Sequence, residues 1–145
     1  MQARSTILIT GATGFIGQHL LKRWTDAGHR ILAYTRRNTL KGLSPQVTWF
    51  QDFATLSPEP IDYVINLAGE NIGTARWSDK RKQQLIDSRI HTTTVLRDWL
   101  LQHGLNPKCI VSASAIGFYG IDSTEQWSQA CDESAASQNL SLIHI

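Results

Sequence analysis

The chain is poor in the residues that build covalent staples or metal centres. Of its 145 residues only two are cysteine. Cys109 and Cys131 make neither a disulfide framework nor a metal-ligand spacing. Cys109 sits in the apolar run Cys109-Ile110-Val111 and is expected to be a small core residue. The five histidines are dispersed, without the His-x-x-x-His pairing of a metal-binding helix, so no metal site is expected. Charge of one sign is also scarce: the formal net charge is +2, too little to argue for nucleic acid or an anionic membrane. The basic knot Lys80-Arg81-Lys82 reads as a solvated helix face. No apolar run approaches the length of a membrane span, no internal repeat is visible, and no signal-peptide layout opens the chain. A cytoplasmic location is expected, with an organelle matrix as the alternative.

What remains is a soluble-type composition, 41% hydrophobic and 18% charged, with enough length for one well-cored domain. Short β-rich apolar runs occupy Ser5–Thr10, Arg30–Thr35, Val47–Phe50, Asp62–Ala68 and Lys108–Ala113. A helix is expected over Phe15–Asp26, where Phe15, Ile16, Leu20, Leu21 and Trp24 recur at helical spacing and Gly28 supplies the stop. A longer helix is expected over Asp79–Gln102, capped by Ser78 and ended by Gly104. Its buried stripe would be Leu85, Ile86, Ile90, Thr93, Leu96, Trp99 and Leu100.

The order is thus β-α-β-β-β-α-β. The strands are continuous apolar runs, which implies burial on both faces and a parallel sheet between helical layers. The fold class is α/β, a Rossmann-type doubly wound parallel sheet. Residues 37–46 look like a loop in place of a crossover helix. After Gly120 the composition turns to Ser, Gln and Ala without a period. Residues 1–120 are therefore assigned to the Rossmann-type domain. Residues 121–145 are assigned to the start of a truncated C-terminal region. The last five residues, 141–145, are either a foreign tail or an ordinary terminal element.

The segment with the most chemistry is Thr10-Gly11-Ala12-Thr13-Gly14-Phe15-Ile16-Gly17, a Gly-x-x-Gly-x-x-Gly turn between a strand and a helix. Gly11 allows a tight turn, Gly14 lets the backbone approach a pyrophosphate, and Gly17 allows close packing of the helix. The helix N-terminus then offers N–H groups and positive partial charge to phosphates. A P-loop is disfavoured because no Gly-Lys-Ser/Thr follows. No acid stands at the end of the second strand, where one would hold the ribose hydroxyls of NAD. Arg36 and Arg37 stand there instead. Guanidinium groups suit a 2′-phosphate, so NADP is favoured, with NAD possible.

With those residues in place the chain resembles the extended or atypical short-chain dehydrogenase/reductase superfamily (NAD-dependent epimerase/dehydratase-like), in its sugar-nucleotide epimerase-like branch. The similar pieces are the glycine turn, Ile65-Asn66-Leu67-Ala68-Gly69-Glu70-Asn71-Ile72, Arg76-Trp77, Ser88-Arg89, and Ser112 through Gly120. The resemblance implies that Gly11, Thr13, Gly14, Phe15, Ile16 and Gly17 line the pyrophosphate site. It implies Arg36 at the adenosine ribose or its 2′-phosphate, and Asp52 near the adenine. Leu67, Ala68 and Gly69 would pass under the nicotinamide ribose, and Ser114 would match the superfamily's catalytic serine. Glu70 and Asn71, just past the fourth strand, are candidate substrate or nicotinamide contacts, or a polar loop. The superfamily's Tyr-x-x-x-Lys pair is absent from these residues, and in the family it would fall beyond where this chain ends. The substrate-binding C-terminal part is expected to be missing, and the fragment alone is expected to be inactive. Two functions stay open. One is an NAD(P)-dependent oxidoreductase or epimerase moving hydride at a carbonyl or secondary alcohol of a small-molecule substrate, such as a nucleotide sugar. The other is a non-catalytic NADP-binding module that senses redox state or regulates a partner. Oligomeric state is not legible.

Overall fold

A computed structural model describes residues 4–36, 44–71, 76 and 78–113. Five strands are present among them: β1 (Thr6–Thr10), β2 (Arg30–Tyr34), β3 (Val47–Phe50), β4 (Tyr63–Asn66) and β5 (Cys109–Ser112). Helix α1 spans Phe15–Asp26 and α2 spans Asp79–Gln102, both with the expected bounds. A short 3-10 helix at Phe53–Thr55 was not anticipated.

All four strand pairings are parallel, in the order β3-β2-β1-β4-β5. This is the doubly wound Rossmann arrangement. The chain steps outward from β1 through β2 and β3, then returns to the other side of β1 as β4 and β5. The loops after β1 and β4 therefore diverge from the centre of the sheet, leaving a crevice at the carboxyl ends of two adjacent strands.

The core shows why the strands are continuously apolar. Ile7, Ile9, Ile31 and Ala33 pack with Leu21 of α1 on one face. Leu8, Leu32 and Val64 face the other way and pack with Leu96, Trp99 and Leu100 of α2. Alternate residues thus feed opposite hydrophobic layers. Phe53 joins the α2 layer and lies between Tyr34 (ring centroids 5.1 Å apart) and Trp99 (5.8 Å).

Two expectations about burial fail. Cys109 is exposed, as is all of β5. That strand ends the sheet order, with β4 alone beside it among the described residues. On α2, Thr92 is buried while Ile90 and Thr93 are exposed, so the buried stripe is rotated from the one read in the sequence. Phe15 and Ile16 open α1 but stand 79% and 60% exposed, on the outer side of its first turn rather than against the sheet. No helix among the described residues is long and apolar enough to cross a membrane. Arg37, Trp77, Ser114 and residues 115–145 lie outside the described residues.

Candidate functional site

The glycine turn occupies the crevice between β1 and β4. Gly11 has φ +71°, a backbone region that favours glycine, and a Cβ there would sit 2.5 Å from the Leu67 carbonyl oxygen. A Cβ on Gly17 would lie 2.3 Å from the Gly11 carbonyl oxygen and 2.7 Å from Ala12 Cα. The close approach at Gly17 is therefore between the first turn of α1 and the loop that precedes it. The Gly14 N–H donates to the Gly11 carbonyl at 3.0 Å, closing the turn.

Gly14 is also the N-cap of α1. It supplies no side-chain cap, and no acidic residue lies in the first turn. The opening N–H groups of a helix lack intrahelical acceptors and carry positive partial charge. The cap and first turn of α1 supply no anion to them, which fits a pyrophosphate.

A polar network centred on buried Thr10 and Asn66 fixes the two strand ends that flank the turn. Thr10 Oγ1 donates to Asn66 Oδ1 at 2.6 Å and accepts the Ala68 N–H at 3.1 Å. Asn66 Nδ2 donates to Thr93 Oγ1 (3.0 Å) and Ser112 Oγ (3.2 Å). The ends of β1, β4 and β5 are thus tied together across the sheet, and the buried Thr10 and Asn66 side chains are hydrogen-bonded as burial requires.

Above these ends lies a cleft of about 630 Å³. Gly11, Thr13, Gly14, Arg36, Leu67, Ala68, Gly69, Glu70 and Asn71, all expected site residues, line it. Phe15, Ile16, Gly17 and Asp52 are not in its lining. Asp52 follows β3, and its carboxylate accepts the Ala54 N–H at 2.9 Å as the cap of the 3-10 helix.

Arg81, Ser88 and Thr92 line the cleft without having been expected there. Arg81 is only 14% exposed and pairs with Glu70, so the reading of Lys80-Arg81-Lys82 as a solvated face fails at its central residue. The signal was in the sequence. Arg81, Leu85, Ser88 and Thr92 recur at i, i+4, i+7 and i+11, one face of a helix.

Glu70 is the electrostatic centre of the cleft. Its carboxylate pairs with Arg81 through one oxygen and with Arg36, at 3.2 Å, through the other. These guanidinium partners, Arg81 first and Arg36 second, hold the Glu70 carboxyl below the usual carboxylate range. Its backbone is anchored by α2. The Glu70 N–H donates to Ser88 Oγ at 3.1 Å, and Arg89 donates to the Glu70 carbonyl at 3.2 Å. The Arg89 guanidinium also packs over Gly69, where a Cβ would come within 3.1 Å of it.

Sheet order, glycine turn and crevice together define a Rossmann-type α/β domain of the dinucleotide-binding class. The model of the NAD dependent epimerase/dehydratase family matches residues 7–139, and the chain belongs to that family. Among curated relatives it is 35% identical over 142 residues to the epimerase family protein YfhF of Bacillus subtilis, covering 95% of this chain and 46% of that protein. It is 35% identical over 121 residues to the epimerase family protein Mb2239 of Mycobacterium bovis, covering 81% of this chain and 39% of that one. Among solved structures, the human epimerase family protein SDR39U1 with NADPH superposes with a TM-score of 0.75 at 25% identity. That match covers 95% of this chain and 44% of the human one. The chain spans less than half the length of each of these proteins.

Proposed function

We propose that this chain is the cofactor-holding part of an NAD(P)-dependent oxidoreductase or epimerase that favours NADP. The observation that carries the proposal is the open N-terminus of α1, set behind the glycine turn at the crevice between β1 and β4. Pyrophosphate would lie against Gly11, Thr13 and Gly14, with Phe15, Ile16 and Gly17 behind them in the first turn. Arg36, together with Arg37, would meet the 2′-phosphate, and Leu67, Ala68 and Gly69 would floor the cleft. Asp52 would lie toward the adenine. The human relative of known structure was solved with NADPH, which agrees with this choice.

When bound, the cofactor supplies hydride transfer to or from a carbonyl or secondary alcohol. The protein's part is to bind and orient. Ser114, two residues past the end of β5, is proposed to hydrogen-bond the reacting oxygen. A small-molecule substrate is proposed, in keeping with the family, and nucleotide sugars are the class to try first. A reducing, cytoplasm-like compartment is proposed from the scarcity of cysteine.

The test is a titration with NADPH and separately with NADH, followed by nucleotide fluorescence. Tight NADPH binding that weakens in the Arg36→Ala, Arg37→Ala double variant supports the reading. A folded chain that binds neither nucleotide overturns it.

A further inference from the structure

No acid follows β2 in the sequence, yet the structure brings one to that place from elsewhere. Glu70 belongs to the loop after β4, two strands away in the sheet order. Its carboxylate nevertheless reaches Arg36 beyond the end of β2, at 3.2 Å. A carboxylate near the end of the second strand is the group that accepts hydrogen bonds from the ribose hydroxyls of NAD. A guanidinium in the same place is the group that binds the 2′-phosphate of NADP. Here the two opposite readers are paired with each other at the rim of one cleft.

Their anchoring differs. Glu70 is held through its backbone by Ser88 and Arg89 and through its carboxylate by Arg81, and its side chain is 29% exposed. Arg36 is 63% exposed. The carboxylate is the more anchored partner and the guanidinium the more exposed one.

We infer that Glu70 and Arg36 form a two-way cofactor selector, in which Glu70 receives the ribose hydroxyls of NAD and Arg36 leaves Glu70 to receive the 2′-phosphate of NADP. A 2′-phosphate carries more negative charge than a carboxylate and presents more acceptor oxygens, so it competes for Arg36. Arg81 stays on Glu70 and keeps the released carboxylate paired. Glu70 thereby lowers affinity for NADP and raises affinity for NAD. This inference rests on the proposal that the cleft holds a nicotinamide dinucleotide.

The test is NADPH and NADH titration of the wild type, Glu70→Gln, Arg36→Ala and the double variant, each first checked for a cooperative thermal melt. Glu70→Gln is expected to tighten NADPH and weaken NADH, each by about threefold to tenfold. Arg36→Ala is expected to weaken NADPH, and in its background Glu70→Gln no longer tightens NADPH. Glu70→Gln shifting both nucleotides in the same direction, or neither, overturns the selector while leaving the dinucleotide site standing. A folded wild type that binds neither nucleotide overturns both. Should Glu70→Gln fail to fold, the exposed Arg36→Ala variant still decides: equal loss of NADPH and NADH refutes the selector.

Discussion

The two α-helices among the described residues begin on the carboxyl side of the same parallel sheet and are started in opposite ways. Helix α2 starts conventionally, with Ser78 accepting the Arg81 N–H at 3.2 Å and Asp79 in the first turn. Its terminal charge is answered by its own chain. Helix α1 starts at a glycine with no side-chain cap and no acid, and the loop before it is folded tightly on itself. A protein that needed only stability would have capped both, since a cap contributes about 1 kcal/mol. An open helix start beside a capped one marks where an external anion is expected.

Disrupting the turn behind α1 should have the largest effect. Gly17→Ala places a methyl 2.3 Å from the Gly11 carbonyl oxygen, and the neighbour it meets is backbone. Expected is a loss of about 1–3 kcal/mol in denaturant unfolding together with loss of binding of both nucleotides. Unchanged stability would show that the loop yields easily.

Making α1 resemble α2 is a sharper intervention. Ile16→Asp adds an acid to an exposed position in the first turn. The fold should hold or gain about 0.3–1 kcal/mol from the helix dipole, while NADPH and NADH affinities both fall by up to about tenfold. A fall in affinity without a fall in melting temperature is the signature of competition for the helix end. The converse variant, Ser78→Ala, should cost about 1 kcal/mol of stability and leave nucleotide affinity unchanged.

The amino-terminal side of the sheet supplies the smallest effect. There Asp62 accepts the Thr6 N–H at 2.9 Å and pairs with Lys108 at 2.7 Å. Lys108 first, and the Thr6 amide second, hold its carboxyl below the usual value. Its contribution is present above its unfolded-state pKa, about 3.9, and is lost as pH falls through its lower folded-state value. Asp62→Asn should therefore flatten the acid limb of a melting temperature-versus-pH curve below about pH 4 and leave nucleotide binding alone.

Element order and both helix bounds were legible because each carried a local signal. Ser78 and Gly104 bracket α2, and the glycine turn precedes α1. Burial at β5 was not legible, because an apolar run does not tell a central strand from one at the end of a sheet. The cleft was half legible. Gly11, Gly14, Arg36 and Leu67–Gly69 follow from position at strand ends. Arg81 was hidden by its lysine neighbours, which drew attention to the charge run rather than to the face shared with Ser88 and Thr92. The Arg36–Glu70 pair could not be read at all, since 34 residues separate its partners and only the strand order joins them.

Gly11 is shaped against the Leu67 carbonyl, and Thr10 accepts a hydrogen bond from Ala68, which lies 58 residues further along the chain. During synthesis from the N-terminus the glycine turn leaves the ribosome well before the strand that floors it. The proposed nucleotide site is thus an event in translation: its cleft cannot form until β4 and the residues just after it have emerged. Stalled chains of graded length, scored for nucleotide retention, would show capture beginning only after Ala68 has cleared the exit tunnel.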